Sequence, residues 1–199
     1  MERFTNPKNL NTDDIYKMPL IKVVYIHGLD SKPLPEKLEI MKQAGMDVSS
    51  IHINYRENPD SYPELKKLIV DTKTELIIGS SFGGMLGYWL AEELGVACLL
   101  FNPAMVYQSI EVNIPQVKEN NCPLRLVVLG ELDDVIDPVK NKKFFFEKQR
   151  QSLTQKVVSC SWLGHSIDFQ TFEEMAFWAA RNYSIWKLLN AENANLRSL

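Results

Sequence analysis

Short apolar runs alternate with amphipathic segments along most of the chain. Runs rich in β-branched residues and leucine predict six strands, at residues 22–27, 50–54, 75–79, 96–101, 124–129 and 156–161. Apolar residues that recur every three or four positions predict helices at 35–44, 61–71, 82–94, 138–150 and 169–189. Alternating strands and helices are typical of a parallel sheet covered on both faces. We therefore expect an α/β fold, a three-layer sandwich around a mostly parallel sheet of about six strands.

The hydropathy pattern also predicts the domain organisation. The chain of 199 residues has enough apolar material for one core, and we expect a single domain over residues 19–190. The last predicted helix carries an apolar stripe that favours core packing over a lipid-binding face, formed by Phe172, Met175, Ala176, Ala179 and Tyr183. Residues 1–18 and 191–199 are polar, and we expect them to be loosely held tails.

The pentapeptide Gly79-Ser80-Ser81-Phe82-Gly83 lies between a predicted strand and a predicted helix. Its G-x-S-x-G pattern in this context is typical of a nucleophile elbow, a tight strand-to-helix turn that presents a serine. Small residues two positions before and after the serine leave room for the turn. Ser81 is therefore a candidate nucleophile at a helix N-terminus that favours developing negative charge. An ordinary strand-to-helix loop is the alternative.

Two later turns contain the residue types that would activate such a serine. A serine hydroxyl needs an imidazole to take its proton, and the imidazole needs a carboxylate to fix its tautomer. An acidic turn at 130–137 follows the fifth predicted strand, and Gly164-His165 follows the sixth. A nucleophile, an acid and a base are thus all expected at strand ends.

Only three histidines compete for the role of base, His27, His52 and His165. His52 alternates with apolar residues, which predicts a packed or half-exposed strand residue. His27 lies at the end of the first predicted strand, where we expect it to support the following loop structurally. His165, on a glycine-containing turn before the last helix, is the preferred base.

The choice of acid is less restricted, because four acidic residues crowd one turn. Asp133 stands three residues after Gly130 and is our first choice. Asp137 is the second, although it precedes Pro138 and could simply cap the next helix. Asp134 is most simply a solvated loop charge.

Five short motifs in register resemble those of the small YqiA-type bacterial esterases of the α/β-hydrolase superfamily. The resemblance covers about residues 21–180 and rests on Tyr25-Ile26-His27-Gly28-Leu29-Asp30-Ser31-Lys32-Pro33, Gly79-Ser80-Ser81-Phe82-Gly83-Gly84, Asn102-Pro103-Ala104, the turn from Gly130 to Asp137, and Gly164-His165. The acid turn, Glu131-Leu132-Asp133-Asp134, is longer than the family pattern. The polar segment before Pro19 is not part of that pattern.

This resemblance implies an α/β-hydrolase domain in which Ser81, Asp133 and His165 form a catalytic triad. It further implies that the backbone amides of Leu29 and Phe82 form the oxyanion hole. The implied activity is hydrolysis of carboxylic esters, with short to medium acyl chains, through an acyl-serine and without a cofactor or metal. Larger members of the superfamily insert a lid where this chain has only residues 102–123, so no cap domain is expected.

Other functions remain open on the same residues. The triad could serve a thioesterase or another acyl-transfer reaction, since fold and triad do not fix the leaving group. A small-molecule-binding protein that keeps the scaffold without turnover is a more distant alternative. The expected partner is in each case a small molecule, an acyl ester or thioester for the enzymes.

Charge and composition narrow the remaining classes. A net charge of −3 and scattered basic residues argue against nucleic-acid binding. The one basic cluster, Lys140 with Lys142 and Lys143, is expected to be the solvated face of a helix.

No apolar run is long enough to span a membrane, and the first 20 residues are too polar for a signal peptide, so we expect a cytoplasmic protein. The three cysteines have no C-x-x-C spacing, which gives no indication of zinc. A monomer or a homodimer is expected.

Overall fold

The computed structural model describes residues 19–107, 109–117, 122–147 and 154–196. The predicted tail at 1–18 lies outside these residues. The strands are β1 (Ile21–Ile26), β2 (Met46–Ser49), β3 (Leu76–Ser80), β4 (Ala97–Phe101), β5 (Leu124–Gly130) and β6 (Thr154–Cys160). The helices are α1 (Pro35–Gln43), α2 (Ser61–Asp71), α3 (Phe82–Leu94), α4 (Pro138–Glu147) and α5 (Phe169–Leu196).

The six strands form one sheet in the order β2-β1-β3-β4-β5-β6, and every neighbouring pair is parallel. The predicted α/β sandwich is therefore confirmed, with a fully parallel sheet. The strand order reverses between β1 and β3, which leaves a crevice beyond the carboxyl ends of these two strands. Such a switch point is where open α/β sheets bind their ligands.

Alternate residues of the strands point into two separate apolar cores. Val24, Ile77 and Leu100 face the core beneath α2, α3 and α4. Val23 and Ile78 face the opposite core, beneath α1 and α5. The predicted stripe on the last helix is confirmed in this second core: Phe172, Ala176 and Ala179 are fully buried, Tyr183 is nearly so, and Met175 packs against them.

The second strand lies earlier in the chain than predicted. Residues 46–49 pair with β1, whereas 50–54 are irregular. The ladder ends because the Ser50 hydroxyl donates to the Tyr25 carbonyl at 2.7 Å. Three residues later, the Ile53 amide donates to the His27 ring instead of to a strand. His52 is consequently an exposed loop residue, and its predicted place in a strand was wrong.

The remaining differences concern segment ends. α5 continues to Leu196, seven residues beyond its predicted end, so part of the predicted tail at 191–199 is helical. Residues 148–150, predicted as the end of α4, lie outside the described residues. The described parts of 102–123 contain no helix, in keeping with the absence of a separate cap. Within the described ranges, no helix is both long and apolar enough to cross a bilayer.

Candidate active site

Ser81 occupies a strained turn between β3 and α3. Its φ is 55° and its ψ is −120°, a left-handed backbone conformation that residues with a side chain rarely adopt. The turn is held by hydrogen bonds, since the Ser81 amide donates to the Phe101 carbonyl at 2.8 Å, and the Ala104 amide donates to the Ser81 carbonyl at 3.0 Å. The serine is half-buried and lines a cavity at the protein surface.

Two glycines make this turn sterically possible. A Cβ at Gly79 would lie 2.5 Å from the Gly83 carbonyl oxygen, and one at Gly83 would lie 2.2 Å from the His27 carbonyl oxygen. Both distances are far inside van der Waals contact with backbone atoms, which cannot move aside. The two glycines of the motif therefore let α3 start directly against β3 and the end of β1.

His165 and Asp133 extend from Ser81 as one chain of hydrogen bonds. The Ser81 hydroxyl lies 2.9 Å from His165 Nε2. On the other side of the ring, Nδ1 lies 3.0 Å from each carboxylate oxygen of Asp133. A ring protonated at Nδ1 donates to the carboxylate and leaves Nε2 free to accept from the serine. This is the arrangement of a nucleophile, a base and an orienting acid.

The carboxylate of Asp133 is buried but remains ionised. Burial alone would raise the pKa of Asp133, but hydrogen bonds from His165 and from the amides of Ile136 and Val135 hold that pKa below its ordinary value. The two amides donate to Oδ1 at 2.8 Å and 2.9 Å, which also fixes the carboxylate against the turn. A negative charge is therefore maintained beside the imidazole.

The two other carboxylates weighed from the sequence point elsewhere. Asp137 accepts hydrogen bonds from the Val139 and Lys140 amides at 3.0 Å each and thus caps α4. Those bonds, led by that from Lys140, keep the pKa of Asp137 low. Asp134 is exposed. Among the described residues, neither carboxylate hydrogen-bonds to His165.

His27 is buried and fastens the loop that follows β1. Its Nε2 accepts from the Ile53 amide at 3.1 Å, and its Nδ1 lies 2.8 Å from the Gly28 carbonyl oxygen. Burial lowers the pKa of His27, which favours the neutral ring that these two contacts require. The Tyr55 hydroxyl also donates to the His27 carbonyl at 3.0 Å. The expected supporting role of His27 fits these contacts.

The amides of Leu29 and Phe82, predicted as oxyanion donors, belong to that loop and to the start of α3. Phe82 is the first residue of its helix, so its amide has no acceptor within the helix. Leu29 lines the same cavity as Ser81. Among the described residues, neither amide donates to a protein acceptor. Both are therefore available to a ligand, and their role stays a prediction.

Asn102, which directly follows β4, joins the two turns that carry Asp133 and His165. Its side-chain amide donates to the carbonyls of Gly164 and His165 at 2.8 Å and 3.1 Å. Its side-chain oxygen accepts from the Gly130 amide at 2.7 Å. The residue is 2% exposed and has a φ of 39°. In the sequence, Asn102 stands out only as part of the Asn102-Pro103-Ala104 motif; the tolerance of asparagine for a left-handed backbone is the one signal that points to its role.

The cavity at the carboxyl ends of β1 and β3 has a volume of about 880 Å³. Ser81 and His165 lie on one side of it. The loop after β1, the first turns of α1, the 52–55 segment and the start of α5 form the rest of the wall. Across the part of the chain that the structure describes, no group of three His, Cys, Asp or Glu side chains could hold a metal ion.

Comparison with known proteins supports this assignment of the fold. The Uncharacterised protein family (UPF0227) matches residues 22–123, which include the loop after β1 and the serine turn. No curated protein matches the chain by sequence.

Several solved esterases share the architecture. The esterase domain from a Rhodothermus marinus protein is 14% identical, with a TM-score of 0.61 over 83% of this chain and 88% of that chain. Est1E from Butyrivibrio proteoclasticus, solved with ferulic acid bound, is 12% identical, with a TM-score of 0.65 over 82% and 89%. The Bacillus cereus carboxylesterase is 13% identical, with a TM-score of 0.58 over 84% and 89%. At these identities the likeness concerns the fold.

Proposed function

Since the chain belongs to the uncharacterised family UPF0227 and has the α/β-hydrolase fold, we propose that it is a serine hydrolase that cleaves carboxylic esters with short to medium acyl chains. The observation that carries the proposal is the hydrogen-bonded chain from the Ser81 hydroxyl through His165 to Asp133. The three residues are spread over 84 positions of sequence, and their meeting in this order favours a catalytic use, because each group activates or orients the next.

The reaction would proceed by two acyl transfers. His165 takes the proton of Ser81 as the serine oxygen attacks the ester carbon, and Asp133 stabilises the imidazolium that forms. The amides of Leu29 and Phe82 donate to the oxyanion, each contributing roughly 3 kcal/mol to the transition state. His165 then protonates the departing alcohol, the C–O bond breaks, and water repeats the sequence on the acyl-serine.

The shape of the cleft favours small or flexible acyl groups. The described part of 102–123 forms no helix above the site, and the cavity lies at the surface between loops. None of the described segments would then have to open as a lid before an ester reaches Ser81. The fold neighbours named esterase and carboxylesterase favour the same substrate class.

A labelling experiment tests the proposal. Purified protein would be treated with a fluorophosphonate probe, and hydrolysis of p-nitrophenyl butyrate and hexanoate would be followed. We expect labelling and turnover in the wild type and in the control Ser184→Ala, whose serine lies on α5 outside the cavity. Both signals should disappear in Ser81→Ala, and turnover should disappear in His165→Ala. A folded wild type that neither labels nor turns over would contradict the proposal, and palmitoyl-CoA hydrolysed much faster than the esters would redirect it to thioesters.

A further inference from the structure

Lys37 is a buried cation in the wall of the active-site cavity that the proposed triad does not use. It lies in the first turn of α1, is 9% exposed, and lines the cavity together with Ser81 and His165. Lysine is rarely buried without a partner, because removing an ammonium group from water is costly. Its position therefore calls for a compensating interaction.

The protein supplies only part of that compensation. The Lys37 ammonium stands 4.9 Å from the centre of the Phe172 ring, a cation–π contact. Among the described residues, no hydrogen-bond acceptor and no ion-paired carboxylate reaches it. Burial accordingly lowers the pKa of Lys37, and the charge of Asp168 offsets this effect only partly. Since no acceptor on a described residue takes them, the N–H bonds of the ammonium are open to water or to a ligand in the cavity.

The neighbouring carboxylates of the cavity are already engaged. Asp30 forms a two-pronged ion pair with Arg56, at 2.6 Å and 2.5 Å. The two oxygens of Asp168 accept from the amide and the hydroxyl of Thr171, at 2.8 Å each. Neither is in position to neutralise Lys37 directly.

A second lysine adds to the positive charge of the same wall. Lys32 is exposed on the loop before α1, lines the cavity, and has no ion pair with any described residue. With Asp30 neutralised by Arg56, this side of the cleft presents two lysines against the single carboxylate of Asp168. The balance of charge favours an anion.

We propose that Lys37 forms an anion subsite, so that the preferred substrate is an ester that also carries a carboxylate or phosphate group. This rests on the proposed function, because it places the anion in the same cleft as the scissile ester. Charge-assisted hydrogen bonds from the ammonium hold the anionic group, while the ester lies at Ser81. Loss of such a bond typically reduces affinity roughly 10- to 100-fold.

Matched esters test this specificity. The 4-nitrophenyl half-ester of adipic acid would be compared with 4-nitrophenyl hexanoate, which has the same chain length and no charge. A second pair, 4-acetoxyphenyl phosphate and 4-methoxyphenyl acetate, carries the anion on the leaving group instead. We expect the wild type to prefer the anionic member of at least one pair, and Lys37→Met to lower kcat/KM for that member roughly 10- to 100-fold with little change for its neutral partner.

Lys42→Met is the control, since Lys42 is an exposed residue of the same helix outside the cavity. It should leave both members of each pair unaffected. Equal loss for charged and neutral esters in Lys37→Met would indicate a purely structural lysine and overturn the proposal, as would the absence of any preference in the wild type. Methionine keeps the apolar stem, so the melting temperature should not fall; a large fall would also favour the structural role.

A binding measurement separates this proposal from the proposed function. Adipate would be titrated into Ser81→Ala protein by calorimetry, with and without Lys37→Met. A Kd raised at least tenfold by Lys37→Met would support the subsite even if the wild type hydrolysed no ester. An unchanged Kd or no measurable binding, in a protein that does hydrolyse hexanoate, would overturn the subsite and leave the hydrolase intact.

Discussion

Replacement of Asn102 should weaken both the fold and the chemistry. Its side chain makes one buried hydrogen bond to Gly130 and two part-buried ones to Gly164 and His165, each worth about 1 kcal/mol net. In Asn102→Ala the left-handed backbone adds about 1 kcal/mol of strain. In Asn102→Gly the strain disappears, but the freer unfolded chain costs a similar amount. Both variants should therefore lose about 4 kcal/mol of unfolding free energy.

The activity of these variants should fall through kcat. Asn102 holds the His165 turn but does not line the cavity, so KM should change little. A base displaced by a fraction of an ångström should lower kcat roughly 10- to 100-fold.

Urea unfolding followed by tryptophan fluorescence measures the stability, and hexanoate hydrolysis measures kcat and KM. Asn190→Ala is the control, because Asn190 is exposed and makes one bond within α5. It should stay within about 0.5 kcal/mol of the wild type. A loss below about 1 kcal/mol in either Asn102 variant would refute the hydrogen-bond reasoning. An unchanged kcat would refute the positioning of His165.

Three further changes test other parts of the structure. Gly83→Ala would place a Cβ 2.2 Å from the His27 carbonyl oxygen, so we expect little folded protein. A melting temperature near that of the wild type would contradict this close approach. Arg125→Met removes the buried cation paired with Glu92 and should lower the free energy of unfolding, measured in urea, by about 3 to 5 kcal/mol. The double variant Arg125→Met/Glu92→Leu should regain most of this stability. A double variant that lost as much stability as the two single variants together would argue against the pairing. Asp133→Asn should lower kcat roughly 10³-fold or more without unfolding the protein. Because the pKa of Asp133 is lower in the folded state, its contribution to stability is present above about pH 4 and is lost as the pH falls through the folded pKa. As the pH falls below about 4, the urea midpoint of Asp133→Asn should therefore decrease less steeply than that of the wild type. Parallel plots of urea midpoint against pH for the two proteins would contradict this.

The architecture was predictable because the spacing of apolar residues along the sequence reflects which positions of a helix or strand are buried. The helix stripe at Phe172, Ala176 and Ala179 is buried as its spacing indicated. The sequence pattern was misleading for the second strand, since Ile51 and Ile53 look like strand residues while Met46 and Val48 form the actual ladder. Apolar residues in a loop that packs on a core have the same composition as a short strand, and only the hydrogen bonds distinguish the two.

The proposed nucleophile and base were easier to predict than the residues that surround them. Ser81 and His165 belong to local motifs with a recognisable spacing. Asn102 and Lys37 contact segments tens of residues away, and neither residue type is unusual in its local sequence. Their surroundings exist only once β4 lies against β5 and α1 against α5, so periodicity and spacing could not reveal them.

The proposed base, His165, lies next to an edge of the sheet. β6 pairs along one side only, most of its residues are partly exposed, and the His165 turn follows it directly. Edge elements of this kind open locally at a lower free energy than the whole domain requires. Gentle heating should thus detach His165 from Ser81 while β1, β3 and β4 remain folded. Heat inactivation should set in below the global melting temperature, and amide exchange in β6 should be faster than in β3.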